Sequence, residues 1–565
     1  MAWSLRRIRA GCASIIWFFT VCGPLVCQGQ AQQAQEPTAV IDARGLPGSR
    51  IFAGGGKLPA RVYERFLELA GGSEARILLI PTASARADSE AGRKQTLERW
   101  QKAHPAIGFE ILHTRDRETA NSAEFCRPFE RATGVWIGGG AQAKLAEAYV
   151  GTRVERELQA LLQRGGAIGG SSAGCAIQTR TMIVRGGKDG QPPEIGTGLD
   201  HLPRAILDQH FLKRQREPRL AMALAQSKGH FGLGIDEGTA VLVRGRSLRV
   251  LGSSKAVLML PAAHGKPARR QELAEGDEVD LVAWQRRARQ RGQGPWPTAA
   301  LGNPTVANGA LVIVGGGRLP AAILERFVAL AGGADNARVV LIPTATPARA
   351  RRGGPQDFGY IGRRLRELGV RDLYSVAAEH PGEVRAEDVQ AIDRATAVWF
   401  GGGRQWRIVD ALEGTAVEPA LHRVLARGGV VGGSSAGATI QGEFLVRGSP
   451  RGNREMWCEG YDRGFAFLPG CAIDQHFVAR NRLEDLRGVI AQIPQVIGLG
   501  IDEGTAAIVV GSTLEVLGNS KIAVLDSRAQ TAGKAQATDP PTRSLTPTWL
   551  QPGDRWDLVS GKRTR

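Results

Sequence analysis

Ala167-Ile168-Gly169-Gly170-Ser171-Ser172-Ala173-Gly174 and Val430-Val431-Gly432-Gly433-Ser434-Ser435-Ala436-Gly437 are the two stretches whose reading decides the fold. In each, a short hydrophobic run leads into Gly-x-Ser-x-Gly. This is the sequence form of a nucleophile elbow, in which a serine sits on a tight strand-to-helix turn with its hydroxyl exposed. Both stretches are followed, at similar spacing, by Asp-Gln-His-Phe (208–211 and 474–477) and then by Ile-Asp-Glu-Gly-Thr-Ala (235–240 and 501–506). Upstream, Ile80-Pro81-Thr82-Ala83 recurs as Ile342-Pro343-Thr344-Ala345, and Val135-Trp136-Ile137-Gly138-Gly139-Gly140 as Val398-Trp399-Phe400-Gly401-Gly402-Gly403. A repeat this long means tandem whole domains, not a solenoid.

The boundaries follow from the repeat. Residues 45–287 form the first copy, 288–308 a linker and 309–565 the second copy. The region from about Arg286 to Asn308 reads as the junction, because a basic run is followed by Gly-Pro-Trp-Pro and Asn-Pro, which break regular structure. Gly-Asp-Glu-Val-Asp-Leu (276–281) resembles Gly-Asp-Arg-Trp-Asp-Leu (553–558), so both copies are expected to close with the same strand.

Within each copy, short aliphatic runs alternate with amphipathic helices. In the second, strands are expected at 310–314, 339–342, 398–400 and 430–431, with helices over 320–331, around 363–368 and over 417–427. This alternation predicts an α/β fold, a mostly parallel sheet with helices on both faces. Functional groups then gather at the C-terminal ends of the strands.

The 565-residue length suits two large domains. The 74 glycines lack a Gly-x-y period and accompany 42% hydrophobic residues, so they mark turns in a folded chain. The net charge of +18 is spread along the chain, with small clusters at 285–291 and 349–352. No basic stripe with interleaved aromatics, zinc-finger spacing or RNA-recognition signature points to nucleic acid. The charge reads as a basic, solvated surface.

At the N-terminus, Arg6, Arg7 and Arg9 precede an apolar stretch to Val26 and a Gln-rich segment (Gln28, Gln30, Gln32, Gln33). Residues 1–31 therefore read as a secretory signal peptide, with a cut after Gly29 or Ala31 and a secreted or periplasmic destination. The run is short and broken by Gly23 and Pro24, so a permanent membrane span is not expected. Val26 before Cys27 is a poor lipoprotein site. Outside this leader the cysteines are Cys126, Cys175, Cys458 and Cys471; without a CxxC pair, no metal site or cofactor is expected. Export would allow a Cys458–Cys471 disulfide, which sequence alone does not decide.

A serine hydroxyl is a poor nucleophile until a histidine accepts its proton and an acid orients that histidine. The first copy offers Ser172, His210 and Glu237; the second offers Ser435, His476 and Glu503. Asp236 and Asp502 compete with the neighbouring glutamates, but strand alternation points each pair to opposite faces, so only one of each can serve. An oxyanion needs fixed donors, for which the N–H groups of Ala173 and Ala436 and of the Gly-rich turns at Gly140 and Gly403 are candidates. The chain order Ser, His, Glu differs from the Ser, acid, His order of ordinary α/β-hydrolases.

On Gly-Gly-Ser-Ser-Ala-Gly, Asp-Gln-His-Phe and Gly-Ile-Asp-Glu-Gly-Thr-Ala, both copies resemble the cyanophycinase and dipeptidase E family of serine peptidases, over roughly 50–285 and 309–560. The resemblance implies two flavodoxin-like domains related to class I glutamine amidotransferases, with the nucleophile, base and acid at the positions named above. It implies hydrolysis of multi-L-arginyl-poly-L-aspartate (cyanophycin) to β-Asp-Arg dipeptides. It also implies a substrate pocket from Gln142, Asp208, Gln209, Arg214, Arg216 and Arg219 in the first copy, and from Gln405, Asp474, Gln475, Arg480 and Arg482 in the second. The aspartates would receive a substrate arginine and the arginines its carboxylates. Asp485 stands where a third arginine is expected, and Ser171 and Ser434 stand where the family often has threonine.

An exported peptidase acting on the polymer is the leading expectation. Two others stand beside it: an aspartyl or isoaspartyl dipeptidase, and a secreted binding protein with one or both copies inactive. Apolar faces on the two domains would let them pair as an intramolecular pseudo-dimer.

Overall fold

The computed structural model describes residues 41–187, 190–298, 301–350, 359–528 and 545–564. The expected signal peptide lies outside the described residues. Among the described residues no helix is long and apolar enough to cross a membrane.

In the first copy, strand Leu46–Ala53 runs parallel to Ala167–Ser171. Beyond it Gly134–Ile137, Arg76–Ile80 and Gly108–Ile111 add three more parallel strands. Alternation along these strands sorts their side chains. Leu78, Ile80, Val135, Ile137 and Ile168 pack on helix Arg153–Gln163 through Leu158, Leu161 and Leu162. Ile77, Leu79 and Trp136 face the opposite way, onto Val62 and Phe66 of helix Ala60–Leu69. A strand covered on both faces by helices must be apolar at successive positions, as Arg-Ile-Leu-Leu-Ile (76–80) is.

The second copy repeats the arrangement. Val306–Val314 pairs in parallel with Val430–Ser434, followed by Ala397–Phe400, Arg338–Ile342 and Asp372–Ser375. Helices occupy Ala321–Leu330, Gly359–Glu367 and Val417–Ala426, within a few residues of the expected bounds.

Three features go beyond the simple α/β reading. The far side of each main sheet is antiparallel: Thr239–Gly245, Ser247–Gly252 and Glu278–Asp280 in the first copy, and Thr505–Gly511, Thr513–Gly518 and Arg555–Asp557 in the second. The related closing segments thus do form equivalent strands. Each copy also has a second, smaller sheet, in which Ala205–Gln209 lies parallel to Phe231–Ile235 and Leu468–Gln475 parallel to Ile497–Ile501.

The third feature is the junction, which is helical at its start. Leu281–Gly292 forms one helix across the expected 287/288 boundary, and strand Val306–Val314 begins before residue 309. The basic cluster at 285–291 is not a solvated surface, because this helix is buried between the copies. Trp284 packs in the core of the first copy, whereas Ala283 packs in that of the second. Arg286, 5% exposed, donates to Asp410 at 2.8 Å and to the Val409 carbonyl at 3.1 Å. Arg291 donates to Glu459 at 2.8 Å and Gln290 to Asp462 at 2.6 Å. Arg246 reaches the same Asp410 at 2.6 Å. Cations withdrawn from water must be paired, and here the acids come from the other copy. The four described cysteines are free and buried, so Cys458 and Cys471 are not bridged.

Candidate active site

Strand Ala167–Ser171 ends at Ser172, which opens the four-residue helix Ala173–Ala176. Ser172 has φ 55° and ψ −112°, and Ser435 φ 57° and ψ −112°. Positive φ is costly for a residue with a Cβ, so the surrounding structure must hold it. The Ser172 N–H donates to the Ala53 carbonyl at 3.0 Å, and the Ser435 N–H to that of Val314. The turn pushes each hydroxyl out beyond the end of the main sheet.

The histidine and glutamate arrive from the smaller sheet, at the ends of its two parallel strands. His210 follows Ala205–Gln209, and Glu237 lies two residues beyond Phe231–Ile235. His210 Nε2 lies 2.9 Å from Ser172 Oγ, and His210 Nδ1 lies 2.7 Å from Glu237 Oε1. In the second copy the distances are 3.0 Å for Ser435–His476 and 2.5 Å for His476–Glu503. Both chains of contacts run hydroxyl, imidazole, carboxylate, and both form where the strand ends of the two sheets meet.

The competing aspartates are engaged elsewhere. Asp236 accepts the Lys213 N–H and the Ser254 hydroxyl. Asp502 accepts the N–H groups of Val478 and Ala479 and the Ser520 hydroxyl. They tie down the loop after each histidine; both residues of each pair lie in the turn beyond the strand, not within it as the alternation argument assumed.

Burial pushes the His210 imidazole below its ordinary pKa; the bond to Glu237 pulls it up, and Arg214 and Arg216 push it down. His476 is likewise lowered, first by burial, with Glu503 opposing and Arg480 and Arg482 adding to the shift. Both shifts favour the neutral imidazole, the form able to accept a proton, relative to a free histidine.

The glycine runs after the first strand of each copy also belong to the site, although the sequence reading took them only as turns. A Cβ on Gly55 would lie 2.4 Å from His210 Cε1, and one on Gly316 2.3 Å from His476 Cε1. A Cβ on Gly56 would lie 2.9 Å from Glu237 Cβ, and one on Gly317 2.8 Å from Glu503 Cβ. Glycine at these positions lets the backbone press against the imidazole and the carboxylate and fix their orientation.

Of the proposed oxyanion donors, Ala173 and Ala436 occupy the first helical position, whose N–H has no intrahelical acceptor. The Gly-rich turn meets the serine through its middle residue. A Cβ on Gly139 would sit 3.3 Å from Ser172 Cβ, and one on Gly402 3.5 Å from Ser435 Cβ. Gly140 and Gly403 instead abut the carbonyls of Ala83 and Ala345.

The pocket residues divide. Arg214 and Arg480 are exposed next to the histidines and make no ion pair among the described residues. Asp208 and Asp474, expected to receive a substrate arginine, are 0% exposed and already paired. Arg219 grips Asp208 through both oxygens, and Arg216 lies 3.6 Å away. Burial pushes the Asp208 carboxyl up against the pull of these arginines. Asp474 is held by Arg447 at 2.9 and 3.0 Å and by Arg482 at 3.1 Å. A carboxylate with no exposed surface and two guanidinium partners has no room for a third, so the aspartates support the site from beneath. Arg447 was not foreseen; its signal was Val446-Arg447-Gly448, which echoes Val184-Arg185-Gly186.

Gln209 and Gln475 are buried, receiving Arg216 through the backbone carbonyl of Gln209 and Arg482 through the carbonyl and side chain of Gln475. Gln142 donates to the carbonyls of Ile183 and Val184, both at 2.9 Å. Gln405 is 1% exposed and its Nε2 has no partner.

The pattern of peptidase family S51 matches residues 51–251 and 311–517. The cyanophycinase of Trichormus variabilis is 34% identical over 207 residues, 35% of this chain and 68% of that protein. The cyanophycinase of Geminocystis herdmanii is 30% identical over 230 residues, 38% of this chain and 81% of that protein. A solved peptidase from an acI-B1 Actinobacterium is 22% identical, with a TM-score of 0.36, covering 42% of this chain and 98% of its own. Each matched range contains one elbow serine and its histidine and glutamate, and the chain belongs to peptidase family S51, a serine-type peptidase built from two tandem copies.

Proposed function

We propose that the chain is an exported hydrolase of cyanophycin that releases β-Asp-Arg dipeptides, with Ser172, His210 and Glu237 acting in one copy and Ser435, His476 and Glu503 in the other. The observation that carries this reading is the twofold occurrence of the hydroxyl–imidazole–carboxylate chain at 2.9 and 2.7 Å, and at 3.0 and 2.5 Å. The substrate is suggested by the cyanophycinase relatives, and export by the leader-like residues 1–31.

In this mechanism His210 Nε2 takes the proton of Ser172 Oγ as the oxygen bonds to the carbonyl carbon of a main-chain aspartyl amide. Glu237 holds the ring so that Nε2 faces the serine, and stabilises the imidazolium that forms. The Ala173 N–H, with the turn at Gly139, faces the developing oxyanion. The imidazolium then gives its proton to the leaving nitrogen as the C–N bond breaks, leaving an acyl-serine. Water repeats the sequence, its proton passing to His210 and then back to Ser172 Oγ as the acid departs. Arg214, exposed beside His210, is suited to a substrate carboxylate.

The test is incubation of the mature chain with insoluble cyanophycin. Clearing with release of β-Asp-Arg supports the reading. Cleavage of short α-aspartyl peptides without clearing would replace it with the dipeptidase alternative.

A further inference from the structure

A cavity of about 660 Å³ is lined by Ser171, the residue before the nucleophile of the first copy, and lies within the size range of small-molecule sites. Gly138, Gly139 and Ser171 form its inner end. Its wall is aromatic, made by Tyr63, Trp100 and Trp136. Tyr63 meets Trp100 edge-on with centroids 5.3 Å apart, and the centroids of Trp100 and Trp136 are 5.6 Å apart. Arg86 and Arg99 line the same space; both are exposed and neither makes an ion pair among the described residues. Two exposed arginines and an aromatic wall lining one cavity next to a nucleophile form a surface for a ligand with both a carboxylate and a flat cation.

The second copy is built differently here. Leu324 stands where the first copy has Tyr63, and helix Gly359–Glu367 contains no tryptophan. Only Trp399, the counterpart of Trp136, is retained. The feature is therefore specific to one copy and not part of the shared catalytic frame.

The geometry points to this cavity as an extended subsite that holds an arginyl branch flanking the scissile bond, its carboxylate on Arg86 and Arg99 and its guanidinium against Tyr63 and Trp100. The inference rests on the polymer reading above. Each branch of that polymer joins the arginine α-amino group to an aspartate β-carboxyl, which leaves an α-carboxylate and a guanidinium free. The subsite makes the first copy prefer long chains, whereas the second copy lacks this source of preference.

The test uses the full chain carrying Ser435→Ala, so that turnover reports the first copy. kcat/KM is measured on a long β-aspartyl-arginine oligomer and on the shortest oligomer cleaved. Arg86→Gln with Arg99→Gln should lower the long-to-short ratio about tenfold, the loss of roughly one charged hydrogen bond. Both arginines are exposed, so the fold tolerates the change. Calorimetric titration of the Ser172→Ala, Ser435→Ala chain with the long oligomer reads the same subsite without turnover, and the arginine variant should weaken binding by a similar factor. An unchanged ratio together with unchanged affinity overturns the subsite while leaving the polymer reading intact. A wild-type chain that neither binds nor cleaves the polymer overturns both.

Discussion

In the first copy, the buried aspartate before the histidine is neutralised from the helix that follows. In the second copy, the same task falls to a residue from an earlier loop. Arg219, on helix Glu217–Gln226, grips Asp208. Its counterpart on helix Leu483–Gln492 is Asp485, and Arg447 takes over, binding Asp474 through both oxygens and Asp485 at 2.7 Å. What the two copies share is therefore a neutralised carboxylate with one equivalent arginine beside it, Arg216 or Arg482, while the arginine that grips both oxygens comes from different places. A lone buried charge costs several kcal/mol, so an arginine lost in one place is replaced from another that reaches the same atoms. The comparison also shows that a residue can sit next to the chemistry, in the most similar string of the repeat, and serve as a support.

Removing what the copies hold in common should have the largest effect. Glu237→Gln in a Ser435→Ala chain, and Glu503→Gln in a Ser172→Ala chain, should each lower kcat by about 10⁴-fold, through loss of the ring orientation and of charge stabilisation. Steady-state turnover checks this, and a loss below tenfold would assign the orientation to other groups.

Next come the residues that differ. Arg447→Leu leaves buried Asp474 with Arg482 alone and should cost about 3 kcal/mol of stability in the second copy. Adding Asp485→Arg transplants the first copy's arrangement and should recover much of that loss. Denaturant unfolding of both single variants and the double measures the coupling; purely additive effects would mean that the two arginines are not interchangeable.

A third contrast lies under the elbow. His201, fully buried, has its pKa pushed down to about 3 by burial and by Arg50 and Arg180. Its counterpart is Phe467, and Gln441 Oε1 is left without a partner, whereas Gln178 Oε1 has His201 Nδ1 at 3.4 Å. The unfolded chain binds a proton near pH 6.5 and the folded chain does not. The stability present above that pH is thus lost as pH falls from 6.5 towards 3, by about 1.4 kcal/mol per unit. His201→Phe should flatten this acid slope in a pH series of unfolding curves, while costing about 1–3 kcal/mol at neutral pH for the unpaired Gln178 oxygen.

The smallest effect is on the pH profile. Because both imidazoles are shifted down, each copy should reach half of its plateau kcat/KM below pH 6.5, with the neutral ring as the active form. A midpoint above 6.5 in either single-copy chain would mean that the carboxylate outweighs burial there.

The repeat and the elbow made four of the five parallel strands and the serines legible, because hydrophobic runs ending in Gly-x-Ser-x-Gly admit few other structures; the edge strand Asp372–Ser375, with only Leu373 and Tyr374 apolar, gave no such signal. The recurrence of one histidine and one glutamate at equal spacing picked out the remaining partners. The second sheet was not legible, since nothing in the short runs Ala205–Gln209 and Phe231–Ile235 says which sheet they join. Helix Leu281–Gly292 was also missed. Its arginines resemble a solvated run, and only the acids Asp410, Glu459 and Glu413, far away in the chain, turn it into an interface. For Asp208 the residue was legible but its partner was not, because pairing with Arg219 depends on burial that sequence does not display.

The account stands or falls on turnover of cyanophycin by four chains: wild type, Ser172→Ala, Ser435→Ala and the double variant. It predicts that wild type releases β-Asp-Arg, that at least one single variant loses rate, and that the double variant loses at least about 10³-fold. A double variant that clears the polymer at the wild-type rate would contradict it.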